Sequence, residues 1–403
     1  MSERRRTVIR AEDGTVRITG PSAGPPFTQA VLDVAGAVLT WPDLGPTGLP
    51  TAEIHDVGQA QQWLWAVYGE RTAAAVDALA PGTPAAELTP PERPTALAES
   101  AARLALGHWA ARWWPTSHLD GIPSLEPGLL GLELATLTHE CQQLLDESGE
   151  SEGIELLEEH LDALDPLIRW RRLLDPPRQL DHVLGLIDDA ADNAGLDGEA
   201  LRRLRSALEQ DHPTPTATPF DVPELFVRPR AFALAAGGLR TATDRVIARG
   251  SGTNDWCRFP PGFVDASENA VSWTAYAPGA GRRIEIEVVA DIAAPAAGVH
   301  LAAEVHVDGG PPSRVPLARQ DDVWIGGADL DLSPSTTPRI EVGILLPGFD
   351  PGPGADDRAA REAVRALARH RLSVAATPHD RTASHPAPFL AEIVAAAAIE
   401  VDF

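Results

Sequence analysis

The sequence predicts an α+β multidomain protein, an all-α helical bundle followed by an antiparallel β-sandwich with C-terminal helices. Three observations predict it. Between residues 51 and 210, apolar side chains recur at spacings of three and four, the helical period. After 211–223 (DHPTPTATPFDVP), a Pro/Thr linker by composition, the apolar period falls to two, with turn residues between short runs. Beyond the loop PGFDPGPG a helical pattern returns. The expected division is a small β-containing N-terminal cap at 1–50, an all-α domain at 51–210, the linker at 211–223, the sandwich at 224–350 and C-terminal helices packed on it at 351–403.

The elements follow in order. TVIRAEDGTVRITG at 7–20 reads as a β-hairpin turning at Asp13-Gly14. AVLDVAGAVLTW at 30–41 is apolar enough for a strand or a short helix, and periodicity does not separate the two. Residues 56–80 read as a helix with Trp63, Val67, Thr72 or Ala74, and Leu79 inward, and the Pro-rich 81–94 as a loop. The stretch 95–145 reads as a helical hairpin. Thr95 caps its first helix, Ala102, Leu106, Trp109 and Trp113 mark one face, and Pro115 stops it after Trp114. Leu130, Leu134, Leu137, Cys141 and Leu144 form the stripe of the second. Three further patterns carry Ile154, Leu157, Leu161 and Leu164, then Leu180, Val183, Leu184 and Ile187, then Leu201, Leu204 and Leu208. Asp165-Pro166 is expected to break the first of them. In the β-rich part Ile284, Ile286 and Val288 alternate with Arg283, Glu285 and Glu287, giving one buried and one wet face. FVRPRAFAL and DRVIARG are expected edge strands. ADDRAAREAVRALARHRL and PFLAEIVAAAA read as helices, the second packed on the sandwich. No internal repeat is present.

Composition excludes several chemistries. The formal net charge is −25, which repels phosphate backbones and anionic membranes. The local exceptions are Arg4–Arg6 and Arg169–Arg172, the second within a helix and flanked by acids. Every basic side chain apart from His is Arg. Without Lys there is no Schiff-base lysine, no Walker-type phosphate lysine and no Ser–Lys dyad. A Lys-free chain rich in Ala, Pro and Gly fits a GC-rich bacterial genome. Cys141 and Cys257 are too few for a disulfide framework or a cysteine-ligated zinc site. The N-terminus lacks a signal-peptide core and no run of about eighteen apolar residues exists, so the expected location is cytoplasmic.

The motif candidates are weighed against plain structural roles. Gly20-Pro-Ser22-Ala-Gly24 matches a nucleophile elbow in letters, but Ser22 precedes most of any sheet and Pro25-Pro26 follow. His139-Glu140 lacks the second histidine of a zinc helix, because the fifth position is Gln143. His108, His118, His139, His160 and His182 lie on several helices, and no pair sits three or four apart. Asp321, Asp322, Asp329 and Asp331, with Asp350, Asp356 and Asp357 later, match no calcium loop. The glycines near 310, 326 and 352 are turns. No metal or cofactor is expected.

Trp113 and Trp114 are about 100° apart on a helix, so the two cannot share one environment. One anchors the core, where a large apolar side chain contributes about 1.5–3 kcal/mol. The other is left for an interface. The favoured functional expectation is therefore a non-catalytic cytoplasmic adaptor or scaffold that binds a protein or peptide, but neither nucleic acid nor membrane. Its candidate surface is Trp113, Trp114, His118 and Asp120, with the sandwich loops near Trp324 and open sheet edges. The alternatives are an enzyme using His108, His118 or His139 with carboxylates in a cleft between bundle and sandwich, and a small-ligand sensor with a Trp-lined pocket. Oligomeric state is not readable from the sequence.

Overall fold

Asp13-Gly14 makes the expected turn between β1 (Arg6–Arg10) and β2 (Val16–Ile18). Gly14 sits at φ +91°, open to glycine without a Cβ penalty, and Thr15 N–H donates to Asp13 Oδ1 at 3.0 Å. This geometry comes from a computed structural model. It describes residues 6–20, 24–42, 44, 48–79, 86–88, 94–173, 179–210, 222–226, 245–277, 281–291, 294, 298–330, 338–349, 357–377 and 387–401. Ser22, Asp331, Asp350 and Asp356, the run FVRPRAFAL after its first residue and most of the Pro/Thr linker lie outside them.

Residues 30–41 form two strands, β3 (Ala30–Val34) and β4 (Ala37–Trp41), where one strand or a short helix was expected. Gly36 explains the difference. At φ +75° it turns the chain back, and its carbonyl accepts the N–H groups of His55 and Asp56. β5 (Thr51–Ile54) and β6 (Ala86–Leu88) complete an antiparallel sheet in the order β3-β4-β5-β2-β1-β6. The expected all-α domain beginning at 51 is thus corrected, since its first residues and part of the 81–94 loop are strands. Pairing explains it: Thr51–Ile54 lies between β4 and β2, and its alternating Ala52 and Ile54 are buried.

Three short helices replace the single one expected at 56–80: α1 (Val57–Ala60), α2 (Leu64–Tyr68) and α3 (Glu70–Asp77). Gly69 separates the last two at φ +85°, ψ 158°, far from helical values. Trp63, Val67, Thr72 and Leu79 are buried as expected, whereas Ala74 is exposed. α4 (Ala96–Trp113) is capped by Thr95, whose Oγ1 accepts Ala98 N–H at 3.1 Å, and it packs on β3. α5 (Pro127–Glu140) buries nearly every side chain, including the whole Leu130–Leu144 stripe with the turn that follows. α6 (Glu147–His160) ends in a 3-10 turn at Leu161–Ala163, and α7 (Leu164–Trp170) follows. The break therefore precedes Asp165-Pro166, and Pro166 sits in the first turn of α7, where its missing N–H costs little. α8 (Gln179–Asn193), α9 (Glu199–Leu208) and the short α10 (Val222–Phe226) complete the run, with Phe226 edge-on to Trp170 at 5.8 Å.

The β-rich part holds two antiparallel sheets. β7 (Arg245–Ser251), β8 (Val271–Ala277), β9 (Arg283–Val289), β10 (Ala302–Val307), β11 (Ser313–Pro316), β12 (Ala318–Gln320), β13 (Val323–Asp329) and β14 (Ile340–Leu345) pair as β12-β13-β9-β8-β7 and β11-β10-β14. The alternation Ile284, Ile286, Val288 faces inward as the sequence predicts. SRVPLARQ is two strands, not one. At buried Leu317 the chain leaves one sheet for the other, a corner device.

α11 (Arg358–Ala376) and α12 (Leu390–Val401) follow. α12, expected on the β-rich part, packs against α5 and α10 instead. The chain forms two compact units: Met1–Trp114, Leu125–Arg228 and Arg369–Phe403 in one, Pro115–Ser124 and Pro229–Ala368 in the other. No described helix is long and apolar enough to cross a membrane.

Candidate functional site

The corner at the end of α4 divides its residues between roles. Trp109 Nε1–H donates to Phe27 O at 2.8 Å, and Trp113 meets the Phe27 ring edge-on at 6.2 Å. Trp114 packs edge-on to Trp109 at 6.5 Å and is only 9% exposed. Trp113 is half-buried, with the Arg112 guanidinium 5.1 Å from its ring centre. Both tryptophans are thus engaged inside the first unit, and Trp114 is the more buried of the two.

In the second unit, residues 115–124 form a small turn held by the Ser117–Ile122 bridge and Gly121 at φ +64°. Asp265 is its anchor. One carboxylate oxygen accepts Ser117 Oγ–H at 2.7 Å and Ser267 N–H at 2.9 Å; the other accepts His118 N–H at 2.7 Å and Leu119 N–H at 3.4 Å. Four donors saturate this buried carboxylate, so it orders the loop and has no lone pair left for base catalysis. Asp120 faces Arg365 at 3.5 Å. Arg365, 1% exposed, also binds Ala266 O, Glu268 and Glu362, and its neighbour Arg361 grips both oxygens of Glu268 at 2.6 and 3.1 Å. The side chains of His118 and Leu119 are left exposed.

The candidate catalytic histidines divide between the two units. His118 belongs to the second unit; His108 and His139 belong to the first. Burial lowers the pKa of His108, against a weaker pull from Glu152, and keeps the imidazole neutral at pH 7. His182 faces Glu140 at 3.2 Å on the surface, and Cys141 is held as an inert thiol, its pKa pushed up to about 12 by burial. Among the described residues no three His, Cys, Asp or Glu side chains gather as metal ligands. Trp324 is 1% exposed, donates to Phe263 O at 3.0 Å and carries Arg319 over its ring.

Sequence reasoning missed the buried charges of the first unit. Glu133 sits inside the leucine run of α5 at 1% exposure. Burial raises its pKa to about 7, against the opposing pull of Arg103 at 3.5 Å and of the backbone N–H groups of Leu390 and Ala391 at the start of α12. Beside it Glu392, fully buried, pairs with Arg371 through two bonds of 2.5 and 2.7 Å. Arg103 and Arg371 both lie over the Phe389 ring. An acid within the leucine run of α5 was the available signal. The arrangement fastens α12 to α5 and exposes no reacting group.

β7 is the end strand of the five-stranded sheet, and among the described residues nothing pairs with its outer edge. Arg245 and Arg249 are exposed along it, Val246 is 48% exposed, and a bulge falls between Val246 and Ala248. Compared with family models, with curated proteins and with solved structures, the chain matches none of them.

Proposed function

We propose that the protein is a non-catalytic adaptor that binds an extended, acidic peptide segment of a partner protein by adding it as a strand beside β7. The observation that carries this reading is the edge itself. Alternate residues of the seven in β7 turn their backbone groups to the outer side, where among the described residues no strand pairs with them, and two arginines punctuate the strand. Main-chain pairing supplies affinity in such additions and side chains supply selectivity. Edge strands are usually blunted by short length, charge or proline. β7 carries charge and a bulge but no proline, which suits an edge open to one class of partner. The exposed pair His118 and Leu119, displayed by the Asp265-anchored loop that Asp120 ties to Arg365, is offered as a second contact surface. Trp324 supports the sheet from within. The finer architecture, a helical bundle joined to a β-sandwich, and a cytoplasmic bacterial setting belong to the same reading. The excess of acids over bases supports a protein partner over nucleic acid.

The test is fluorescence anisotropy of the full chain with a labelled peptide that alternates Glu and Val. Saturable binding, weakened about tenfold or more by Arg249→Glu, is expected from reversed charge complementarity. Val246→Pro should also weaken it. No saturable binding, or binding indifferent to both substitutions, overturns the assignment.

A further inference from the structure

A cavity of about 260 Å³ opens on the first unit between α7 and α9, lined by Asp165, Arg169, Arg172, Arg203, Ser206 and Gln210 among others. Three arginines therefore line one small space in a chain whose net charge is −25. Their neighbours show what sets Arg169 and Arg172 apart. Arg171 is committed to Asp181 and the Ala207 carbonyl, and Arg205 to Asp188. Arg203 binds Asp165 at 2.9 Å and Glu199 at 3.7 Å while its side chain remains 51% exposed. Among the described residues Arg169 and Arg172 form no ion pair, and both are exposed.

The plain explanation is that these arginines offset the helix ends. α7 and α9 both terminate at this cavity, and a helix C-terminus carries about −0.5 charge. Among the groups that line the cavity, two such ends and Asp165 amount to roughly −2 against three full positive charges, while Glu199, which also reaches Arg203, is 79% exposed and outside the lining. About one positive charge is left over, together with the Ser206 hydroxyl and the Gln210 amide as neutral donors. The planar guanidinium fork matches the tetrahedral oxygens of phosphate two at a time. The cavity is somewhat below the roughly 300–1,000 Å³ of drug-sized sites, a volume for one anionic group on a compact carrier.

The geometry points to a binding site for a phosphate-type dianion, free or carried as a monoester on a small molecule, held by Arg169, Arg172 and Arg203. It is independent of the β7 edge. Titration calorimetry of the full chain with inorganic phosphate and with methyl phosphate, at low ionic strength where screening is weakest, tests it. Saturable binding is expected, weakened about tenfold or more in Arg169→Ala/Arg172→Ala. Both positions are exposed, so the melting temperature of that variant should stay that of the parent. Asp165→Asn removes the opposing charge and should tighten binding several-fold, an effect that general surface attraction would not concentrate at one residue. Tighter binding of methyl phosphate than of phosphate assigns the site to a carried group, and the reverse order to the free anion. Absence of saturable binding for both probes, or binding that survives the double substitution, overturns the proposal.

Discussion

Glu133 is the residue whose chemistry departs furthest from its sequence neighbourhood. Its folded pKa of about 7 lies above the ordinary value of 4.5, so between those values the folded protein holds a proton that the unfolded chain has released. The sign follows. The stabilising contribution of the protonated group is complete below about pH 4.5 and is lost as pH rises through about 7, by on the order of 3 kcal/mol for a shift of this size. Glu133→Gln keeps the shape and an acceptor for Ala391 N–H but cannot ionise. Relative to the parent, this variant should therefore gain stability steadily from pH 5 to pH 8 in urea titrations. Parallel pH profiles for the two proteins would show that Glu133 titrates normally. Other residue roles were open to reading: Thr95 caps and Pro115 stops a helix because both act on adjacent backbone. Glu133 was not, because its environment is assembled by Arg103 and by residues 258 positions away.

Among elements, α12 is held by a buried pair more than by its own composition. Removing one member of a buried pair strands the other charge, at a cost of about 3–5 kcal/mol, whereas an apolar replacement of both is often neutral. Arg371→Ala should thus lower the urea midpoint strongly, since Glu392 is fully buried, and Arg371→Met/Glu392→Leu should recover most of the loss. If the double variant is as unstable as the single one, the pair contributes net stability through its bonds. The helical stripes of α5, α8 and α9 were legible because a helix is a local object with a 3.6-residue period. The strand at 51–54 was not, because four residues take their identity from the partners β4 and β2 on either side. α12 was correctly placed as a helix and misplaced as to its neighbour. Its apolar residues demand a surface without specifying which.

For the whole molecule, net charge sets a field that no local contact cancels. At −25 the folded chain repels itself, and added salt screens that repulsion over about 8–10 Å. Buried pairs such as Arg371–Glu392 and Arg258–Glu304 are screened far less. Raising sodium chloride from low to physiological concentration should therefore lift the melting temperature by a few degrees, read by circular dichroism. A fall would show that surface ion pairs outweigh the global repulsion.

Period, charge and residue inventory act along the chain or without regard to position, so the alternation of helical and β-rich stretches, the acidity and the absence of lysine chemistry could be read before any fold was known. What joins distant positions could not. Ser117 meets Asp265 across 148 residues, and Arg361 meets Glu268 across 93. Those meetings turned a surface loop of the expected partner corner into a structural turn of the second unit. Arg169, Arg172 and Arg203 were visible as letters, but only the packing of α7 beside α9 made them line one cavity. A side chain's neighbours in sequence fix its local geometry, whereas its solvent, its charge partners and hence its chemistry are fixed by which segments fold against it.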